Sequence, residues 1–118
     1  NSKIGILCTE ATLKTKVYNK HFDKDFNLIS PKNLIQKNSV NKSIKLVKMG
    51  KIKEAEKVIR PAVKYLIKSK CKKIILGCTE LPIAIFAYKS FKKIKKSKIF
   101  IDPNLLLAEV SLKKYKNL

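Results

Sequence analysis

The stretch that decides the fold is Lys73-Ile-Ile-Leu-Gly-Cys-Thr-Glu-Leu-Pro82. Its first four residues form a short apolar run that predicts a buried β-strand. Gly77 then permits a tight turn, and Pro82 suits the first turn of a helix. A strand, a turn and a helix in this order predict that Cys78 lies at the carboxyl edge of a sheet. Open α/β sheets bind their ligands at that edge.

Other strand signals alternate with helical ones along the 118 residues. Short apolar runs predict strands at residues 3–7, 26–29 and 99–101. Because strands and helices alternate, the sequence predicts an α/β fold with a mostly parallel sheet flanked by helices.

Three helices are predicted between these strands. The first takes Thr12 as its N-cap and runs towards Phe22. The second begins near Asn33 and breaks at Gly50. The third contains Pro61, which should kink the helix or mark a new start. The lysine-rich residues 89–98 are predicted to be a solvated loop or a frayed helix.

The formal net charge of +20 raises the question of a polyanionic partner. Lys and Arg together number 28, and Arg60 is the one arginine among them. Sites that read phosphate or guanine favour the bidentate arginine fork, and these lysines are spread along the whole chain. Lys, Ile and Asn all have A/T-rich codons, so compositional bias explains their abundance. We therefore expect no specific nucleic-acid partner, and a lysine-rich nucleic-acid-binding module remains the alternative.

The three cysteines do not have the density of a disulfide scaffold. Cys8 and Cys71 are expected to be structural, and His21, the one histidine, a surface residue. A zinc site from these groups lacks the usual spacing. Reduced thiols in the cytoplasm are the simpler expectation. No apolar run approaches the roughly 20 residues that span a bilayer, so no membrane partner is expected.

The position predicted for Cys78 suggests a reactive thiol. The dipole and free N–H groups of a helix N-terminus favour a thiolate. Glu80 places a carboxylate nearby, which can accept or relay a proton. The alternative is a small buried cysteine that ends a strand, which is common for free cysteines.

The segment from Gly77 to Pro82 resembles the second active-site motif of the aspartate/glutamate racemase superfamily. Glutamate racemases usually carry His where this chain has Glu80, so the motif is closer to the aspartate and hydantoin racemases. Residues 5–12 are similar to the family's strand followed by A-T-x-G-T, with Cys8 in place of Ala and Ala11 in place of Gly. Residues 44–51 and 101–109 resemble the family's I-x-x-x-K-x-G helix end and its closing strand and helix.

This resemblance implies a cofactor-independent amino-acid racemase. In the family, one thiolate removes the α-proton and a second thiol protonates the opposite face, without pyridoxal phosphate or a metal. Cys78 would be one of the two thiols and Glu80 its proton partner. Substrate binding would fall to Thr9, Thr12, Lys48 and Thr79. Ordinary turn and cap chemistry for the first two, and a solvated helix-end cation for Lys48, are the alternatives.

The resemblance also implies that a domain is missing. No segment matches the family's first P-C-N-T-like motif, and the chain lacks an initiator Met. We expect residues 1–102 to be the second α/β domain and residues 103–118 a helix that packs on the first domain. The chain alone is then expected to be weak or inactive, and to associate as a homodimer or with the missing half. Aspartate is the favoured substrate, glutamate, hydantoin and maleate-type substrates stay open, and a non-catalytic remnant is a further alternative.

Overall fold

A computed structural model describes residues 2–19, 26–87, 91–93, 98–104 and 112 of the chain. Four strands form one sheet in the order β2-β1-β3-β4, and every neighbouring pair is parallel. The strands are β1 (Ser2–Leu7), β2 (Phe26–Ile29), β3 (Lys73–Leu76) and β4 (Phe100–Ile101). The predicted parallel α/β fold and its four strands are therefore confirmed.

Side chains alternate between the two faces of the sheet because successive residues of a strand point in opposite directions. On one face, Leu7, Ile74 and Leu76 pack in the larger core against the helices that follow β2 and β3. On the other face, Ile4 and Ile75 belong to a smaller core that also contains buried residues Ile6 and Cys8 and the partly buried Leu13 and Tyr18. Both faces of the central strands are covered, which is why these strands are nearly continuous apolar runs.

The first helix, α1 (Glu10–Thr15), starts earlier than predicted. Its N-cap is Thr9, whose hydroxyl accepts the backbone N–H of Thr12 at 3.1 Å. Placing the cap at Thr12 was therefore wrong, because Thr9, two residues after the end of β1, already supplies the side-chain acceptor. The helix ends at Lys16, which adopts the left-handed conformation with φ 54°. Residues 20–25, and with them Phe22 and His21, lie outside the described residues.

The segment predicted to be helical before Gly50 contains three parts in succession. These are α2 (Asn33–Ile35), a π-helical segment (Gln36–Asn41) and α3 (Lys42–Lys48). The break at Gly50 is confirmed, and its φ of +78° explains the glycine. The π-helical segment turns Gln36, Ser39 and Val40 into the protein interior.

The long helix α4 (Ile52–Lys68) continues through Pro61. Pro61 has no N–H to donate. Of the two outcomes predicted for Pro61, a kink or a new start, the unbroken helix excludes the new start. The buried hydroxyl of Ser39 supports the helix at this point. It donates to the carbonyl of Val58 at 2.6 Å and accepts the N–H of Ala62 at 3.2 Å. One side chain of the π-helical segment thus bridges an i,i+4 pair of backbone groups beside the proline.

The last helix of the described core is α5 (Glu80–Phe86), which begins as predicted just after Cys78. It packs on α3 and α4. Pro103 and Asn104 begin a helical turn, but most of the predicted terminal helix lies outside the described residues, as does most of the segment 89–98. Within the described part of the chain, no helix has the length and apolarity that crossing a membrane requires.

We expect Ser39→Ala to destabilise the fold, because it leaves both the Val58 carbonyl and the Ala62 N–H without this buried partner. The loss in unfolding free energy should be about 1–3 kcal/mol, measured by urea denaturation followed by circular dichroism. Ser69→Ala is the matched control, since the Ser69 hydroxyl donates only to the Tyr65 carbonyl near the end of α4. Equal stability losses in the two variants would contradict the bridging role of Ser39.

Candidate active site

The candidate site lies where the two central strands end. Strands β1 and β3 pair in parallel register with Leu7 beside Leu76. The N–H of Gly77 then donates to the Leu7 carbonyl at 2.7 Å, which extends the pairing by one residue. The segments that follow, Cys8 with Thr9 and Gly77 with Cys78, are therefore neighbours at the carboxyl edge of the sheet. This is the position that the sequence predicted for Cys78.

Gly77 is required by close packing at this edge. A Cβ atom at residue 77 would lie 2.9 Å from the Cβ of Cys8 and 3.2 Å from both the Leu7 carbonyl oxygen and the Tyr18 hydroxyl. Separations under 3 Å between a Cβ and another carbon demand movement of one of the two. Glycine lets the strand ends approach each other and brings Cys8 and Tyr18 close to the chain at Cys78.

Cys78 is half-buried and packs against the larger core. Its sulfur accepts hydrogen bonds from the backbone N–H groups of Glu80 and Leu81, the first residues of α5. Thr79 is the N-cap residue of α5 but makes no side-chain hydrogen bond to the helix backbone, so the Cys78 sulfur takes the place of a side-chain cap. These two N–H groups lower the pKa of Cys78.

Burial nevertheless raises the pKa of Cys78 above the ordinary cysteine value. The Glu80 carboxylate adds to this rise, both by its charge and by accepting a hydrogen bond from the thiol. Together they outweigh the two backbone N–H groups. The N–H groups of the helix N-terminus thus favour the thiolate, as expected, but burial and Glu80 leave the pKa of Cys78 above its ordinary value, so the thiol is the favoured form at neutral pH.

Glu80 is held as a carboxylate by its surroundings. Burial raises its pKa, but hydrogen bonds from its own backbone N–H and from the Thr79 hydroxyl lower it more, helped by Lys48 and the Cys78 thiol. Thr79 Oγ1 lies 3.0 Å from Glu80 Oε2, and Lys48 Nζ lies 3.8 Å from Glu80 Oε1. The packing of α3 on α5 thus brings four of the predicted site residues, Cys78, Glu80, Thr79 and Lys48, into one group.

Thr9 and Thr12 form a separate pair at the start of α1. Their hydroxyl oxygens lie 2.9 Å apart, and Thr9 also caps the helix. The structure therefore shows turn and cap chemistry for both residues. Ala11 is helical and has no positive φ. Alanine in place of the family's glycine therefore introduces no backbone strain at this position.

Three residues near the site were missed or undervalued from the sequence. Cys8 is fully buried, and burial raises its pKa to about 12, with the nearby Cys78 thiol contributing. Burial raises the pKa of Tyr18, and the neighbouring Cys8 and Cys78 raise it further. Gln36 donates from Nε2 to the Cys8 carbonyl at 2.7 Å. The one sequence signal available for Gln36 was its place directly after Ile35, in a segment whose apolar residues have helical spacing.

Among the residues that the structure describes, no cluster of three or more His, Cys, Asp or Glu side chains is placed to hold a metal ion.

Comparison with known proteins identifies the family. The family model described as Asp/Glu/Hydantoin racemase matches residues 1–110. The chain belongs to the Asp/Glu/hydantoin racemase family. The resemblance seen at residues 77–82 and 5–12 is thereby confirmed, and with it an α/β domain of the racemase type.

The curated relatives that this racemase-family chain matches include a glutamate racemase and an uncharacterized protein. A glutamate racemase of Carboxydothermus hydrogenoformans is 28% identical over 123 residues, which cover 98% of this chain and 42% of the relative. An uncharacterized protein of the pnlA 3′ region in Pectobacterium carotovorum subsp. carotovorum is 34% identical over 85 residues, covering 71% of this chain and 56% of the relative. The chain thus spans about half the length of the curated relatives it matches.

The racemase-family motif permits a direct test of the Cys78–Glu80 contact. Glu80→Gln removes the charge that raises the pKa of Cys78 and should lower that pKa. We expect alkylation of Cys78 by iodoacetamide at neutral pH to become several-fold faster, measured by peptide mass spectrometry, because the thiolate is the reactive form. In the unchanged chain, the rate should still be rising with pH above the ordinary cysteine pKa of about 8.5.

Glu54→Gln is the matched control, since Glu54 is exposed in the first turn of α4. The control should leave the alkylation profile of Cys78 unchanged. A Glu80→Gln variant that reacts at the original rate, or more slowly, would show that Glu80 does not hold the proton on Cys78.

Proposed function

We propose that this chain forms one wall of the active site of a cofactor-independent amino-acid racemase. Cys78 is one of the two thiols that exchange a proton with the substrate. The observation that carries the proposal is the Cys78 sulfur, held at the carboxyl edge of the sheet between two backbone N–H groups and the Glu80 carboxylate. Membership of the racemase family supports the reaction class.

The protonation states suggest which half of the reaction Cys78 performs first. Since Cys78 rests as a thiol, it is the proton donor, and a thiolate on the facing wall removes the α-proton from the other side of the carbon. Glu80 accepts the S–H hydrogen bond and keeps the proton on sulfur until the carbanion forms. In the reverse direction the donated proton is recovered by the Cys78 thiolate, which the N–H groups of Glu80 and Leu81 then stabilise.

The surrounding polar groups are proposed to bind the substrate. Lys48 is 64% exposed and lies at the long distance of 3.8 Å from Glu80, so its ammonium is available to a substrate carboxylate. Thr79 is exposed beside the thiol, and the Thr9–Thr12 pair offers hydroxyls at the end of the neighbouring strand. Aspartate is the proposed substrate, since the motif carries Glu80 where glutamate racemases usually have His.

The complete enzyme is proposed to need a second domain. Residues 1–102 would form the second racemase domain, and residues 103–118 a helix that packs on the first. Effective racemisation requires both thiols on opposite faces of one carbon, and loss of either wall removes that positioning. The second thiol would come from a domain bearing the P-C-N-T motif, covalently linked to this chain or associated with it. A homodimer is the alternative mode of association.

The test is solvent deuterium incorporation at the α-carbon of L- and D-aspartate, followed by NMR. It is run on this chain alone and on the chain joined to a first racemase domain. With both domains present, Cys78→Ala should lower exchange by at least about 100-fold, the typical contribution of a positioned acid or base. Cys71→Ala is the matched control, because Cys71 lies before β3 and away from its carboxyl edge.

Retention of exchange in Cys78→Ala would exclude the proposed role of that thiol. Absence of exchange in every form, with folding intact, would instead favour a non-catalytic remnant of the family. Exchange of one enantiomer without inversion by the chain alone would support a half-site with a single working thiol.

A further inference from the structure

The end of the sheet opposite the candidate active site is lined by lysines. This is the edge where the strands begin, and we call it the amino edge. Its lysines lie within the first residues of a strand or in a segment that leads into one: Lys3, Lys68, Lys70, Lys72, Lys73 and Lys98. All are exposed except Lys73, which is half-buried. Their ammonium groups are thus gathered at one edge of the domain.

Backbone contacts hold these lysines in a continuous row. The N–H of Lys72 donates to the Lys3 carbonyl at 2.9 Å, and Nζ of Lys73 donates to the Lys98 carbonyl at 2.8 Å. The second bond uses one of the three donors of the Lys73 ammonium group and leaves the others. Because neighbouring strands lie about 4.8 Å apart, β1, β3 and β4 begin within about 10 Å of one another. A linear polyanion that follows the edge contacts several of these groups at once.

The acidic residues that the structure describes lie towards the other end of the sheet. Glu10 follows β1, Glu80 follows β3 and Asp102 follows β4. Each of them therefore lies beyond the carboxyl end of its strand. These carboxylates accompany the candidate active site rather than the amino edge.

The other described carboxylates lie near the beginning of α4. Glu54 is in its first turn and Glu56 follows two residues later. Since the helix rises about 1.5 Å per residue, Glu56 is about 18 Å along its axis from Lys68. This distance exceeds the screening length of about 10 Å at roughly 0.1 M salt. The described carboxylates therefore do not offset the charge of the amino edge. Residues 20–25, which the structure does not describe, contain two lysines and two aspartates and so add no formal net charge.

Codon bias accounts for the number of lysines but not for their separation from the carboxylates. Nor does it account for the two turns at this edge, where Lys70 and Lys98 adopt a positive φ of 70° and 55°. Asparagine adopts this left-handed conformation more readily than lysine does. Since A/T-rich codons supply asparagine as readily as lysine, the bias by itself does not favour lysine at these positions.

An aromatic side chain adjoins the row of lysines. Phe26 begins β2 beside Ser2 and is 43% exposed. Side chains alternate along a strand and cross-strand partners share a face, so Phe26 lies on the same face of the sheet as Lys73. Proteins bind single-stranded nucleic acids with this combination, because bases stack on aromatic rings while the cationic groups follow the phosphates.

We infer that the amino edge binds a single-stranded nucleic acid through its phosphate backbone, with a base stacked on Phe26. Lysine suits this role because its ammonium group contacts phosphate as a point charge and carries no sequence information. Binding is therefore independent of sequence, which agrees with Arg60 being the one arginine of the chain. A bilayer presents its anions over a plane, whereas these lysines follow one line. The inference concerns the edge opposite Cys78 and holds whether or not the chain has racemase activity.

The experiment measures binding of the chain to a fluorescein-labelled oligothymidylate by fluorescence anisotropy. The edge variant combines Lys3→Gln, Lys70→Gln and Lys72→Gln, all at exposed positions. At about 50 mM salt its affinity should be at least about tenfold lower than that of the unchanged chain. The slope of log affinity against log salt should become shallower by about 2, since each phosphate contact with a single strand contributes about 0.7.

The matched control variant combines Lys14→Gln, Lys37→Gln and Lys53→Gln, so that both variants have the same net charge. Lys14 and Lys37 lie near Ser30, beyond the carboxyl end of β2, and Lys53 is in the first turn of α4. Because these positions are distant from the amino edge and screened from it, the affinity should change by less than about twofold.

The stacking contact is tested at Phe26. Phe26→Leu keeps an apolar side chain but removes the ring, and should weaken binding about five- to tenfold, the lower part of the range for one stacked base. Phe26→Tyr retains the aromatic face and should bind the oligothymidylate as tightly as the unchanged chain.

The unchanged chain also identifies the surface without any substitution. In a ¹H–¹⁵N NMR titration with the oligothymidylate, the amide signals of Lys3, Lys72 and Lys98 should move. Those of Thr79 and Glu80, at the opposite edge of the sheet, should stay in place.

Absence of measurable binding by the unchanged chain at low salt would overturn the inference. So would equal losses of affinity in the edge and control variants, which diffuse attraction to a basic protein would produce, or movement of the Thr79 and Glu80 signals in place of those at the amino edge. Tighter binding of phosphatidylserine vesicles or of inorganic polyphosphate, lost in the edge variant, would instead assign the edge to a membrane or to a bare phosphate chain.

Discussion

The parallel pairing of β1 with β3 is the interaction on which the rest of the structure depends. Leu7 and Leu76 meet in register, and one further backbone bond carries the pairing to Gly77. Because both strands run in the same direction, their carboxyl ends emerge together, and so do the turns that carry Thr9 and Cys78. A slip of one residue would reverse the side chains of β3 between the two faces of the sheet. The packing of the core and the geometry of the candidate site therefore both depend on the register of β1 with β3.

The chemistry of Cys78 illustrates how burial competes with a helix N-terminus. The backbone N–H groups at the start of α5 favour a thiolate, as the motif suggests. Desolvation and the Glu80 carboxylate favour the thiol, and they prevail in this chain. A thiol that is neutral at rest but has two N–H donors aimed at its sulfur suits a group that gives up a proton and later takes one back. Burial is the largest contribution to this balance, and the Glu80 carboxylate adds to it.

The π-helical segment between α2 and α3 has a similar organising role on the helical side. By turning Gln36 and Ser39 inward, it reaches both the end of β1 and the proline-containing helix α4. Ser39 stabilises the backbone beside Pro61, and Gln36 holds the Cys8 carbonyl. π-Helical turns are rare and are often found at functional sites. Here the segment connects helix α4 with the edge of the sheet where Cys78 lies.

The sequence by itself determined the α/β class, the parallel strands, the break at Gly50 and the position of Cys78 before a helix. These follow from apolar runs, glycine and proline, which act through the local backbone. It also placed this chain with the racemases, because the motif around Cys78 is contiguous. Only the tertiary structure decided the protonation of Cys78, the contact of Lys48 with Glu80 and the partners of Gln36. Each of these depends on burial or on residues far apart in the chain, and local sequence patterns carry no measure of either.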